Sequence, residues 1–233
     1  MSDQLIRRAV AEFIGVFALC FMGIGSILLT GNIVAIAFAH GLAIGLCVLA
    51  VGHISGGHFN PAITAAMLAT GRISPKGAGV YVVAQLLGAV AATVVLLAAI
   101  PGSLRDGTGL GIPAVGSGFS TGNALVAEIV ATFFLVFVVF GTAVDKRSEK
   151  AMAGLAIGLS ITMGVLATGP ISGAALNPAR WFGPAIVDTN LSNFWIWIVG
   201  PVIGALLAGY LWNGLLLRED SETDVQEISE GMR

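Results

Sequence analysis

Long apolar stretches broken by short polar ones run the length of the chain, near residues 5–29, 33–51, 79–100, 123–144, 151–168 and 194–217. A helix needs about 20 apolar residues to cross a bilayer, so this pattern predicts six transmembrane spans. Two further apolar runs, AITAAMLAT after Pro61 and ARWFGPAIV after Pro178, are about half that length and suit half-helices that enter the membrane without crossing it. Proline opens each run and asparagine precedes it. Proline is pre-organised for the first helical position and asparagine is a favoured cap, so Asn60-Pro61-Ala62 and Asn177-Pro178-Ala179 mark helix starts. An ordinary Asn-Pro loop turn is the plainer alternative. At membrane depth, however, an uncharged polar loop has to be buried in protein or line a cavity.

The two motifs sit in a duplicated chain. Their lead-ins are ISGGHFNPA and ISGAALNPA, AEFIGVFALCF from Ala11 recurs as AEIVATFFLVF from Ala127, GLAIGL from Gly41 recurs from Gly154, and QLLGA from Gln85 matches PVIGA from Pro201. The offsets stay between 113 and 117 residues, so nearly the whole chain is two copies of one unit. Each copy holds three spans. Because three is odd, the second copy runs inverted relative to the first, and the half-helices enter from opposite faces and meet near the midplane. The predicted fold is an all-α membrane protein: six transmembrane helices plus two re-entrant half-helices in an inverted repeat. One channel domain covers 1–217, with repeats at about 5–105 and 121–217, and an acidic tail that we expect to be disordered follows at 218–233.

Composition agrees, with 56% hydrophobic residues, 10% charged and a mean hydropathy of +0.93, values foreign to an ordinary soluble domain. A cleaved signal peptide is not expected, since the first span carries Glu12, lacks a clear cleavage site and is repeated inside the chain. Lys and Arg orient the spans: Arg7, Arg8, Arg72, Lys76, Lys146, Arg147, Lys150, Arg218 and Arg233 fall on one face, and only Arg105 lies in loops on the other. Both termini are therefore expected in the cytoplasm, with the cell (plasma or inner) membrane as host. Cys20 and Cys47 lie inside spans without metal-ligand spacing and read as apolar packing. No cofactor, metal or nucleic-acid partner is implied, and membrane lipid is the expected surroundings.

The chemistry concentrates where the half-helices meet. Two helix N-termini bring roughly half a positive charge each to one point, which repels cations. Asn60 and Asn177 add amide donors to the oxygen of a passing water, turning its hydrogens outward and interrupting the wire along which protons hop. Extended lead-ins, Gly56-Gly57-His58 and Gly173-Ala174-Ala175, are expected to supply carbonyl acceptors along one wall. Glu12 and Glu128 occupy matching places in spans one and four, where a carboxylate is expensive. We read them as acceptors for the unwound loop backbones; a proton relay is the alternative. Arg180 directly follows the second motif, where the first copy has Ile63, and the asymmetry points to one constriction that excludes cations. Thirty-two glycines, among them Gly41/Gly45, Gly154/Gly158 and Gly200/Gly204, suit close packing of helices in lipid.

HISGGHFNPA, ISGAALNPAR and the AEF/AEI starts resemble the aquaporins, or major intrinsic proteins, over about residues 5–217. The resemblance implies an hourglass fold, one pore per subunit, a homotetramer, and passive conduction of water and small neutral solutes. It also implies a four-residue filter of His40, Val165, Ala174 and Arg180. That set matches neither the water-specific members, with Phe and His in spans two and five, nor the glycerol facilitators, with Trp, Gly and Phe beside Arg. It is similar to the plant vacuolar branch, in which such a filter accompanies passage of ammonia or urea; glycerol is a further candidate. Trp181 stands where glycerol facilitators carry Asp. A strictly water-specific channel and an ion-coupled secondary transporter are the alternatives. The latter needs a titratable or cation-binding centre where this chain has Asn60 and Asn177. No catalytic constellation appears, so no enzyme is expected.

Overall fold

The computed structural model describes residues 2–217. The expected tail, with Arg218 and Arg233, lies outside the described residues. Nine helices follow one another among the described residues: α1 (Asp3–Thr30), α2 (Ile33–Ser55), α3 (Pro61–Ala69), α4 (Pro75–Ala99), the single turn α5 (Gly102–Arg105), α6 (Thr121–Val139), α7 (Ala153–Ser172), α8 (Pro178–Val187) and α9 (Ile196–Leu211). Six segments are long and apolar enough to cross a membrane, and these are the six expected. α6 and α9 each finish in a π-helical turn, at Phe140–Val144 and Trp212–Leu216.

Local chemistry sets the helix ends. The Asn32 side chain accepts from the backbone N–H groups of Val34 and Ala35 at the start of α2, Ser74 caps α4 ahead of Pro75, and Ser120 and Asn123 form a reciprocal capping box on α6. Both α2 and α7 stop at a left-handed glycine, Gly56 (φ 92°) and Gly173 (φ 76°). The half-helices then begin as expected, at Pro61 and Pro178 with Asn60 and Asn177 as caps.

Packing follows the duplication: α1 lies on α4, α6 lies on α9, and α2 crosses α7. At that last crossing a Cβ on Gly158 would stand 2.6 Å from the carbonyl oxygen of Gly41, and one on Gly41 would stand 2.4 Å from that of Gly158. Gly45 and Gly154 oppose each other in the same reciprocal way, at 2.8 and 2.7 Å. Reciprocity of this kind is what a two-fold relation between the copies produces. Where apolar lipid gives helices no hydrophobic reason to associate, the close backbone approach supplies the contact.

Burial is turned inside out relative to a soluble domain. Leu46 and Val126 are about 60% exposed (61% and 59%), whereas Glu12, Gln85 and Glu128 are fully buried. Lipid is a good solvent for the former, and only protein partners can satisfy the latter. On the face bearing Lys146, Arg147 and Lys150, Arg147 pairs with Asp145 at 2.7 Å and donates to the Leu216 carbonyl, tying the ends of α6 and α9. The hydrogen-bonding guanidinium pulls the Asp145 carboxyl down to about 2.

Candidate functional site

Each buried carboxylate holds one re-entrant loop. Glu12 Oε1 accepts from the Ser55 hydroxyl (2.7 Å) and the His58 N–H (3.0 Å), and Oε2 from the Phe59 N–H (2.6 Å). Glu128 repeats the pattern on Ser172 (2.7 Å), Ala175 (2.8 Å) and Leu176 (2.8 Å). Tyr81 donates its hydroxyl to the Ser55 carbonyl at 2.5 Å, and in the matching place Trp197 Nε1 donates to the Ser172 carbonyl at 2.9 Å. The first copy has one addition: Gln85 donates to Glu12 at 2.7 Å and to Thr64 at 3.1 Å. Pro201 stands in its place in the second copy, so Glu128 has one donor fewer.

The lead-ins are not extended strands. Gly56, Gly57 and Phe59 have positive φ (92°, 63° and 48°), and so do their counterparts Gly173, Ala174 and Leu176 (76°, 45° and 52°). Left-handed backbone at Phe59, Ala174 and Leu176 costs of order 1–3 kcal/mol per residue and persists only where surroundings over-determine it. The carboxylates provide that at Phe59 and Leu176 by gripping their N–H groups, whereas the Ala174 N–H donates to the Ser172 hydroxyl at 3.2 Å, which itself donates to Glu128. This grip also orients the carbonyls. A trans peptide points its N–H and the preceding C=O in opposite directions, so fastening the N–H groups of His58, Phe59, Ala175 and Leu176 turns the carbonyls of Gly57, His58, Ala174 and Ala175 away from the glutamates. Among the described residues no protein donor reaches these carbonyls, nor those of Gly56 and Gly173. These carbonyls are thus open to accept, on a left-handed backbone instead of the expected extended one. The ring of His58 is engaged elsewhere, Nδ1 lying 3.1 Å from the Thr64 hydroxyl.

Asn60 and Asn177 brace the loops reciprocally. Asn60 Nδ2 donates to the Leu176 carbonyl and Asn177 Nδ2 to the Phe59 carbonyl, both at 2.8 Å, while each Oδ1 caps its own half-helix. An amide nitrogen has two hydrogens, so one from each asparagine is left for a passing molecule instead of two. Both residues line a central cavity of about 20 Å³, which has room for about one water at a time.

A wider cavity of about 270 Å³ lies beyond it, and His40, Val165 and Ala174 line both. Those three residues form the boundary between the cavities, and Arg180 stands on the wider side. Arg180 is 1% exposed; its guanidinium donates to the Gly111 carbonyl at 2.7 Å, and Nε has no protein partner. Arg180, His40, Val165 and Ala174 therefore come together at one constriction. The imidazole is more constrained than its formula suggests. Nδ1 lies 2.8 Å from the Ile36 carbonyl, which can only accept, so the ring hydrogen is on Nδ1 and Nε2 is a bare acceptor, buried and unpartnered.

The family description "Major intrinsic protein" matches residues 1–212. The chain belongs to that family. Aquaporin TIP4-4 of Zea mays is 40% identical over 226 residues, covering 92% of this chain and 88% of that one. Aquaporin NIP1-1 of Zea mays is 38% identical over 226 residues, covering 91% and 76%. In fold it is similar to the aquaglyceroporin from Plasmodium falciparum, with a TM-score of 0.82 and 23% identity over 91% of this chain and 97% of that one. This major intrinsic protein is an integral membrane channel for water and small solutes, not an enzyme.

Several site residues escaped sequence reasoning. Ser55/Ser172 and Tyr81/Trp197 carried a usable signal, since their offsets of 117 and 116 residues fall within those of the repeat. Trp181, stacked on Trp197 at 6.0 Å with 9° between the rings, belongs to this scaffold. Gly111 had no signal, because it acts through its backbone carbonyl.

Proposed function

We propose that this channel conducts water together with small neutral solutes, ammonia and urea foremost and glycerol as a further candidate, and excludes protons and ions. The observation that carries the reading is the shape of the constriction. Its one ring, His40, is held to the Ile36 carbonyl, and Val165 and Ala174 add little bulk beside it. With the imidazole hydrogen engaged, polar contact for a solute comes from the free donors of Arg180 and the carbonyls of Gly173 and Ala174. Ion exclusion rests on the Arg180 charge and the two N-terminal dipoles at Asn60 and Asn177. Among the described residues the ionisable side chains lining the cavity with the two asparagines are His40 and His58, each with Nδ1 engaged by a protein partner and neither a carboxylate, which favours passive flow over coupling to an ion.

Stopped-flow light scattering of reconstituted liposomes tests this directly, comparing an osmotic shock with a urea gradient. Wild type is expected to pass both without an ion gradient. His40→Phe puts a larger ring in the constriction and forfeits the bond to Ile36, so urea flux is expected to fall by roughly tenfold, the effect of about 1.4 kcal/mol in barrier, and water flux by much less. Passage of water alone by wild type, or an equal drop in both fluxes, identifies a water-specific channel instead.

The family resemblance supports a homotetramer, which native mass spectrometry in mild detergent can count. The face that collects Arg7, Arg8, Arg72, Lys76, Lys146, Arg147 and Lys150 supports cytoplasmic termini. We take the cell membrane as host.

A further inference from the structure

We propose that Gly23, on α1, is a specificity-determining residue of the filter, because it creates the notch into which the His40 ring withdraws. This rests on the filter reading above. A Cβ built on Gly23 would stand 2.5 Å from both Cδ2 and Nε2 of His40 and 2.7 Å from Cε1. All three distances are well inside van der Waals contact, so the tip of the ring already occupies the space that any side chain at position 23 would need. The ring has little freedom to evade. Its Nδ1–H is bonded to the Ile36 carbonyl one turn back on α2, and its other edge is against α1.

The space left open to it is the cavity boundary it shares with Val165 and Ala174. A methyl group at position 23 therefore moves the imidazole into the lumen and narrows the opening at its tightest point. The same notch accounts for Nε2, which is buried without a partner: seated against α1 at Gly23, the ring keeps its acceptor out of the path. The position of the ring at this filter is thus set by two residues from two helices, of which only His40 lines the path. Val165 and Ala174 decide the opposite wall and cannot compensate if the ring advances.

The test compares wild type, Gly23→Ala, His40→Ala and the double variant in liposomes, measuring osmotic water flux and urea flux in parallel. Gly23→Ala is expected to reduce urea flux by roughly tenfold while reducing water flux far less, because a narrower opening excludes the larger molecule first. His40→Ala removes the ring, so it should raise urea flux, and adding Gly23→Ala to it should then change nothing. Unchanged urea flux in Gly23→Ala, or a loss that persists in the double variant, overturns the proposal, since the effect would not pass through the ring. Unchanged selectivity in His40→Ala overturns the filter reading itself, a separate result. If Gly23→Ala cannot be recovered folded while the double variant can, the steric conflict between residue 23 and the ring is supported. If neither is recovered, the glycine serves helix packing and the proposal fails.

Discussion

Glu12→Leu is expected to abolish recovery of folded protein. Leucine is close to glutamate in volume and comfortable in lipid, so simple hydrophobicity would make the change benign. The hydrogen bonds say otherwise. Four buried donors, the Ser55 hydroxyl, the His58 and Phe59 N–H groups and the Gln85 amide, lose their acceptor together, at about 1–3 kcal/mol each. No water can replace it in a closed apolar site, and the left-handed backbone at Phe59 loses what holds it. Glu128→Leu strands three donors and should be nearly as severe. The more conservative Glu128→Gln keeps one acceptor oxygen and is expected to fold with a lowered melting temperature. Size-exclusion profiles and thermal unfolding in detergent read both effects. A Glu12→Leu protein that is fully stable but conducts no water would assign the carboxylate to transport instead of loop support.

Arg180→Val should leave water conduction within a few-fold of wild type, a change of under about 1.4 kcal/mol in barrier, while admitting larger neutral solutes and leaking small cations. Valine is far smaller than the guanidinium, so the cavity boundary widens. It also uncovers the Gly111 carbonyl, to which Arg180 now donates, and a bare carbonyl attracts cations. A unit charge about 4 Å from a passing cation opposes it by roughly 4 kcal/mol at an effective dielectric of about 20, and this opposition disappears. The half-helix dipoles at Asn60 and Asn177 remain, so proton exclusion should persist better than exclusion of sodium. Liposome flux assays with urea, glycerol, sodium and a pH gradient separate these outcomes, and unchanged selectivity in a folded variant would remove Arg180 from the filter.

The residue ahead of each motif shows how far a repeat can be read from sequence. Phe59 and Leu176 correspond in register, and both adopt left-handed backbone, yet their side chains find different seats. The Phe59 ring lies on Gly15, where a Cβ would stand 2.1 Å away, whereas Leu176 packs on Gly164, at 2.7 Å. Ala131 occupies the place in the second copy that Gly15 has in the first. The lead-in backbone reads as extended in the sequence for a related reason: neither Phe59 nor Ala174 is a residue type that favours positive φ, and the conformation is imposed at Phe59 by Glu12, 47 residues away in the chain, and at Ala174 by the Ser172 hydroxyl together with the grip of Glu128 on Ser172, Ala175 and Leu176.

By itself the sequence determined the spans, the half-helices, their caps and the inverted register. Those depend on run length, on proline and asparagine at helix starts, and on an offset repeated through the chain, all of which are local or periodic properties. Glu12, Glu128 and Arg180 were legible because a charge at membrane depth is too costly to be idle. Tertiary structure alone decided which hydrogens the asparagines and His40 have left to offer, that the Gly111 carbonyl steadies Arg180, and that the His40 ring rests in a notch at Gly23. The physical reason is common to these cases: each depends on a backbone group, or on the absence of a side chain, brought within hydrogen-bond or van der Waals distance by helices packing across the fold, and neither a carbonyl nor an empty Cβ position has a residue-type signature.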